Sequence, residues 1–318
     1  MGRRRQRPHT SGIGRRRFLQ LSGGGLAAAL AGPHLAGAAA DELVRRAIPK
    51  SGQRLPVIGL GTARTFNVDP NDAAAMEPLR GVMRAFFDGG GRVVDSSPMY
   101  GRAEAVVGRL ATDLGIQDDL FMATKVWTRG REAGIEQIER SERLMAGGRL
   151  DLVQVHNLVD LETQLATLRR MQQTTQVRYI GVTHYTDGSH EQLARIVENE
   201  PIDFVQFNYN IMARNAERRL LPAAAANGVA TLINEPFESG RLFRRVRGQA
   251  VPQWARAELG IDSWAQYFLK FIVGHPAVTC AIPATSKPVH SADNIGAAHG
   301  PLPDAALRRR MLRHLENL

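Results

Sequence analysis

Gly89-Gly90-Gly91-Arg92-Val93-Val94-Asp95-Ser96-Ser97-Pro98-Met99-Tyr100-Gly101 sets a glycine triplet directly before a short β-branched run, and polar residues close that run. This order separates two architectures. A doubly wound open sheet carries its glycine-rich turn after the first strand, where backbone N–H groups cradle a phosphate at the next helix. Here the glycines instead follow an apolar helical period, Met76, Leu79, Val82, Met83, Phe86 and Phe87, and read as a helix stop. The strand they introduce ends in Asp95, and the functional groups are sought at that end.

Working outward, eight short β-rich runs are found at residues 55–62, 92–97, 120–127, 150–158, 179–185, 204–210, 229–237 and 278–285. Most are near-continuous apolar runs rather than strict alternations, as parallel strands covered on both faces require. Between them lie segments of helical period, such as Ile135, Ile138 and Leu144. Strands alternating with helices eight times over predict an α/β chain forming a single (β/α)8 TIM barrel. Residues 47–55 read as a short N-terminal hairpin ahead of the first barrel strand.

The formal net charge of +10 invites a nucleic-acid reading, but seven arginines and no acid fall within residues 1–40, leaving +3 on the remainder. A polyanion-binding face is therefore not expected, and no nucleic-acid partner. Arg241, Arg244, Arg245 and Arg247 form one local basic cluster, which fits either a bound phosphate or a solvated loop. Cys280 is the sole cysteine, so intrachain disulfides and cysteine metal sites are excluded.

Residues 1–40 read as a separate leader and residues 41–318 as the barrel. Arg15-Arg16-Arg17-Phe18-Leu19-Gln20 is followed by an apolar, glycine-diluted stretch to Ala31 and a tail of small residues. That is signal-peptide order, and the apolar stretch has about half of the roughly 20 residues a spanning helix needs, so no permanent membrane span is expected. The segment resembles a twin-arginine export signal, Ser/Thr-Arg-Arg-x-Phe-Leu-Lys, with Gly14 and Gln20 departing from it. The resemblance implies the twin-arginine export machinery as a partner and an exported, bacterial periplasmic location. Cleavage after Ala38 or after Ala40 fits equally.

In a barrel, chemistry belongs at the carboxyl ends of the strands. The second run ends at Asp95, the third at Lys125 and the fourth at His156, with Tyr100 five residues beyond the aspartate. Neighbouring strands lie about 4.8 Å apart, so these groups converge on one side of the mouth. A lone aspartate there is usually a cap and a lone histidine a structural side chain; the combination is what carries meaning. A phenol with a pKa near ~10 is a poor proton shuttle at neutral pH. An ammonium about 4 Å away, at an effective dielectric of about 20, favours tyrosinate by roughly 4 kcal/mol, or about three pKa units. Asp95 would keep such a buried ammonium charged, and His156 would donate a hydrogen bond to a substrate oxygen.

These residues resemble the aldo-keto reductase family over most of residues 47–298. Asp95 to Gly101 is similar to the family's Asp-x-x-x-x-Tyr-Gly segment, with Ala103-Glu104 and Val107-Gly108 at the family spacing, and Gly59-Leu60-Gly61-Thr62 looks like its first-strand signature. The resemblance implies hydride transfer between a nicotinamide cofactor and a small-molecule carbonyl or alcohol substrate. Tyr100 would be the general acid/base, Lys125 and Asp95 its tuning pair, and His156 the orienting donor. It further implies cofactor contacts from Thr183, His184, Gln206, Phe237, Ser239, Thr285, Ser286, Lys287, His290, Asp293 and Asn294, and no metal. Thr183-His184 stands where the family commonly has Ser-Asn, and Asn234 where it usually has an aromatic; Ala284 and His290 replace a familiar lysine and arginine. Lys287, with the Arg244/Arg245 loop, would supply the missing charge and favour NADP(H), with NAD(H) the alternative. Trp127, Met99 and Phe237 fit either the lining of an apolar pocket or, as aromatics near strand ends at least as often are, packing residues.

Two other readings remain open at this level. One is a non-catalytic nicotinamide-binding module of the same fold that acts by interaction, as the barrel of potassium-channel β-subunits largely does. The other is a metal-dependent barrel enzyme, for which His156, His184 and Glu235 are the available ligands.

Overall fold

The computed structural model describes residues 43–145 and 150–318, so the leader and everything read from it lie outside the described residues. A two-stranded antiparallel hairpin, β1 (Arg45–Ala47) and β2 (Arg54–Pro56), comes first. Eight parallel strands follow: β3 (Leu60–Gly61), β4 (Val93–Asp95), β5 (Phe121–Val126), β6 (Leu150–His156), β7 (Val177–Thr183), β8 (Phe204–Asn208), β9 (Ala230–Asn234) and β10 (Cys280–Ala281). Each pairs with its sequence neighbour, from β3 through to β10. The ring closes where Ile58 and Gly61 bridge in parallel to Ala281 and Ala284, with Gly59 N–H donating to the Ala281 carbonyl at 2.8 Å and Gly61 N–H to that of Pro283 at 3.0 Å.

All eight runs predicted from the sequence contain strands; most are trimmed at their ends, whereas β7 begins two residues ahead of its run, at Val177. The first run merged two elements: Leu55 belongs to the hairpin strand β2, and the barrel strand begins at Leu60. The last run shrinks to Cys280–Ala281, and Pro283, just beyond it, has no N–H to give to the ladder.

Helices cover the outside. Asp72 caps α1 (Ala73–Asp88), accepting from the N–H groups of Ala74 and Ala75, and its Met76, Leu79, Val82, Met83 and Phe86 are buried. The glycine triplet stops this helix: Gly89 is its C-cap, and Gly90 at φ +89° turns the chain into β4. The helices α2 (Ala103–Leu114), α3 (Arg131–Met145), α4 (Leu161–Gln173), α5 (His190–Asn199) and α6 (Leu220–Ala226) then follow strands in turn. Three helices come after β9, namely α7 (Arg241–Arg245), α8 (Gln253–Leu259) and α9 (Trp264–Val273). After β10 the chain ends with α10 (Pro288–Gly296) and α11 (Ala305–Glu316). Among the described residues no helix is long and apolar enough to cross a membrane.

The period of two along each strand sorts side chains between two cores. Val94, Met122, Val153, Val155, Ile180, Val182 and Val205 face the helices, whereas Val93, Phe121, Leu152, Tyr179, Phe204 and Leu232 fill the barrel. Ile48 and Leu55 of the hairpin join that inner cluster and plug the amino-terminal end, where the Tyr179 hydroxyl reaches Ser51 Oγ at 2.8 Å. Each fully buried large side chain contributes roughly 2 kcal/mol from area removed from water, so the lower half of the barrel is a rigid floor. Two or four residues further along the same inner faces, the apolar side chains give way to Asp95, Lys125, Gln154, Thr183 and Gln206.

Candidate active site

Strand register brings these polar residues to one level. Lys125 lies opposite Gln154, His156 opposite Thr183, and Thr183 opposite Gln206. The Lys125 ammonium donates to Asp95 Oδ2 at 2.6 Å and to the Ser96 carbonyl at 2.7 Å. The other carboxylate oxygen accepts from Gln206 Nε2 at 2.9 Å, across the interior from β8, and Gln206 Oε1 in turn accepts from the Thr183 hydroxyl at 2.9 Å. Asp95 is 2% exposed and Lys125 fully buried, so the pair is held by hydrogen bonds that an isolated buried charge would lack.

Tyr100 reaches this pair from the loop. Ser97 caps a short 3-10 turn, Pro98–Tyr100, by accepting from the Met99 N–H, and Gly101 at φ +66° ends it. The Lys125 Nζ lies 5.0 Å from the Tyr100 ring centroid and acts on the phenol both as a charge and as a hydrogen-bond partner. His156 packs edge-on to Tyr100, with ring centroids 5.8 Å apart, and its Nδ1 lies 2.9 Å from Ser97 Oγ. All four residues singled out from the sequence, Asp95, Tyr100, Lys125 and His156, are thus brought together.

The electrostatics differ from expectation in one respect. Burial raises the Tyr100 pKa, the Lys125 charge lowers it, the Asp95 charge raises it again, and the net shift is upward. The ammonium acts with the predicted sign, but its carboxylate partner opposes it and desolvation is the largest influence. The phenol therefore holds its proton. For Lys125, burial works against the ammonium while Asp95 and Tyr100 favour it, and the net shift is upward. Burial, then the charges of Lys125 and His184, push His156 down to about 3, so its ring is neutral at physiological pH.

The remaining predicted residues divide into three groups. Thr183 and Gln206 belong to the buried network, and His184 sits beside it, its ring stacked on exposed Tyr185 at 5.5 Å. Thr285, Ser286, Lys287, His290, Asp293 and Asn294 run from the end of β10 into α10, where Thr285 Oγ1 accepts from the Lys287 N–H and Ser286, Lys287 and His290 are exposed at the start of the helix. Phe237 and Ser239 follow β9. Phe237 is half-buried and packs against Phe243 at 4.9 Å and the outer core, and the Ser239 hydroxyl donates to Glu235 at 3.0 Å. Arg245 does not stand free beside Arg244: its guanidinium donates to the Leu315 carbonyl in the last turn of α11. Trp127 and Met99, 41% and 44% exposed, do rim the mouth, and the Trp127 ring centroid is 6.5 Å from that of His156.

Sequence reading missed Ser97 and Asn157. The buried acceptors Gln154 Oε1, Asn157 Oδ1 and Asn234 Oδ1 have no hydrogen-bond partner. Asn234, standing where an aromatic was expected, spends its Nδ2 on the His184 carbonyl at 3.3 Å and presents that oxygen. Acceptors in want of donors match a nicotinamide carboxamide, whose NH2 supplies two, so these residues fit the cofactor implied by the sequence. At the opposite end of the barrel a cavity of about 670 Å³ is lined by Arg45, Arg54, Arg92 and Arg178 interleaved with Asp118, Asp119 and Asp151. It contains none of the strand-end residues.

Comparison with known proteins agrees with this geometry. The chain is 28% identical over 204 residues to the aldo-keto reductase YhdN of Bacillus subtilis, a match spanning 58% of this chain and 60% of that protein. It is 26% identical over 260 residues to the methylglyoxal reductase YeaE of Escherichia coli, covering 80% of this chain and 89% of the relative. An aldo-keto reductase from Klebsiella pneumoniae, solved with NADPH, superposes with a TM-score of 0.70 at 25% identity, over 86% of this chain and 95% of that one. A Klebsiella pneumoniae structure with NADP and acetate gives 0.69, also at 25% identity, over 83% and 93%. Residues 57–310 match the pattern that defines the Aldo/keto reductase family, and the chain belongs to that family.

Proposed function

We propose that the chain is an NADP(H)-dependent oxidoreductase that reduces a carbonyl compound, or oxidises the corresponding alcohol, with Tyr100 as general acid/base. The observation that carries this reading is the convergence of a buried Lys125–Asp95 pair, at 2.6 Å, with the ring of Tyr100 and a neutral His156 at the mouth of the barrel. NADP and NADPH are the cofactors in the Klebsiella pneumoniae neighbours, and the unpartnered acceptors of Asn157 and Asn234 suit a carboxamide.

When bound, the dinucleotide supplies or accepts the hydride. The chain's own work is to position and to move a proton. Tyr100 keeps its proton in the resting site and delivers it to the carbonyl oxygen as negative charge develops there; Lys125 stabilises the tyrosinate left behind. Asp95 holds the ammonium charged and in place, while Gln206 and Thr183 hold Asp95. His156 donates to the same substrate oxygen, and the Trp127–Met99 rim excludes water from that side. The leader, read as a twin-arginine signal, would export this enzyme to the bacterial periplasm already folded, with its cofactor loaded beforehand.

The test is oxidation of NADPH by the purified chain with a reactive aldehyde and no added metal. Tyr100→Phe is expected to lower kcat about a hundredfold or more while NADPH still binds, since general acid/base catalysis is worth roughly 10²–10⁴. Full turnover in Tyr100→Phe would overturn the proton-transfer role, and nicotinamide binding without turnover of any carbonyl would favour the interaction-module reading.

A further inference from the structure

Ser97 is completely buried, and its Oγ has two recorded partners among the described residues. One is the Met99 N–H at 3.1 Å, from which the oxygen can only accept. The other is His156 Nδ1 at 2.9 Å. A buried hydroxyl proton left without an acceptor is costly, and the imidazole nitrogen is the one acceptor in reach. The hydroxyl therefore donates to Nδ1, which must be the unprotonated nitrogen of the ring. Because that ring is neutral, its single proton sits on Nε2.

We propose that Ser97 is a positioning residue that locks His156 in the tautomer protonated on Nε2, so that the ring presents a donor, not a lone pair, to the substrate oxygen. The same hydroxyl caps the turn Pro98–Tyr100. One buried group thus ties the orientation of the histidine to the placement of the tyrosine, and the two groups that meet the substrate oxygen move together or not at all. This inference rests on the reading of His156 as a substrate-facing donor and adds what sets its proton.

The experiment is nitrogen NMR of the full chain labelled with ¹⁵N-histidine. The His156 signals, among nine histidines, are identified by their loss in His156→Gln. The wild-type ring is expected to show a bonded proton on Nε2 and the shift of an unprotonated nitrogen at Nδ1. Ser97→Ala is expected to move the ring toward the Nδ1-protonated form and to lower kcat about tenfold with the KM for NADPH unchanged, while Ser97→Thr, which retains the hydroxyl, restores both. A wild-type ring protonated on Nδ1 would overturn the inference without recourse to any variant, as would Ser97→Ala with unaltered ring nitrogens. Wild-type protein with the expected tautomer but no NADPH oxidation with any carbonyl would support the role of Ser97 and remove the reductase reading.

Discussion

Lys125 Nζ stands 2.6 Å from Asp95 Oδ2 with side-chain exposures of 0% and 3%, so neither charge has water to fall back on. Removing one partner strands the other. Asp95→Asn and Lys125→Met are each expected to cost about 3 kcal/mol or more, the penalty for an uncompensated buried charge, whereas the double variant should cost less than the sum. Urea unfolding of the four proteins measures this, and strictly additive losses would mean that the pair is not coupled.

Stability should fall on the acid side of neutrality. His156 has an ordinary value of 6.5 and is pushed to about 3 in the folded chain, so between those values the unfolded state binds a proton that the folded state refuses. The histidine's share of stability is complete above pH 6.5 and is lost progressively as pH falls to about 3, with a slope of at most about 1.4 kcal/mol per pH unit. His275, lowered to about 4 by burial and by the charge of Arg308, adds in the same direction. His156→Gln is expected to flatten the acid limb of the unfolding free energy; an unchanged slope would show that the imidazole titrates normally.

Gly101 follows the proposed acid directly, at φ +66°, and a methyl group at its Cα would collide with Asn67 Oδ1. Gly101→Ala is therefore expected to destabilise the chain by roughly 1–2 kcal/mol and to lower kcat through misplacement of Tyr100. Thermal unfolding together with steady-state kinetics checks both halves. Wild-type values in both would mean that the loop relaxes freely.

Lys287 is exposed at the start of α10, where its ammonium is open to a phosphate. Lys287→Ala is expected to raise the KM for NADPH about tenfold more than that for NADH, the loss of one charge-assisted hydrogen bond. Equal changes for both dinucleotides would move the selectivity elsewhere.

Much of this molecule was legible in its residue order. Parallel strands covered on both faces must be apolar along their length, which is why the eight runs stood out. Their ends were less visible, because the ladder stops where pairing geometry fails, and hydropathy does not register that. Asp95, Lys125 and His156 could be picked out as polar residues closing apolar runs, and Tyr100 by its distance from Asp95. The contact of Phe237 with Phe243 was not legible, since an aromatic near a strand end looks the same in sequence whichever neighbour it packs on. Arg245 looked free for the same kind of reason, its partner being the Leu315 carbonyl seventy residues away.

By itself the amino-acid order determined the barrel, the family and the four residues at its mouth, because hydrophobic periodicity and short-range spacing are local properties of a chain. The tertiary structure alone decided that the Tyr100 phenol keeps its proton, that Asp95 is gripped by Gln206 from 111 positions away, and that Ser97 touches His156 across 59. Those outcomes depend on distances and desolvation between strands that are remote in sequence, and such quantities exist only once the sheet has closed on itself.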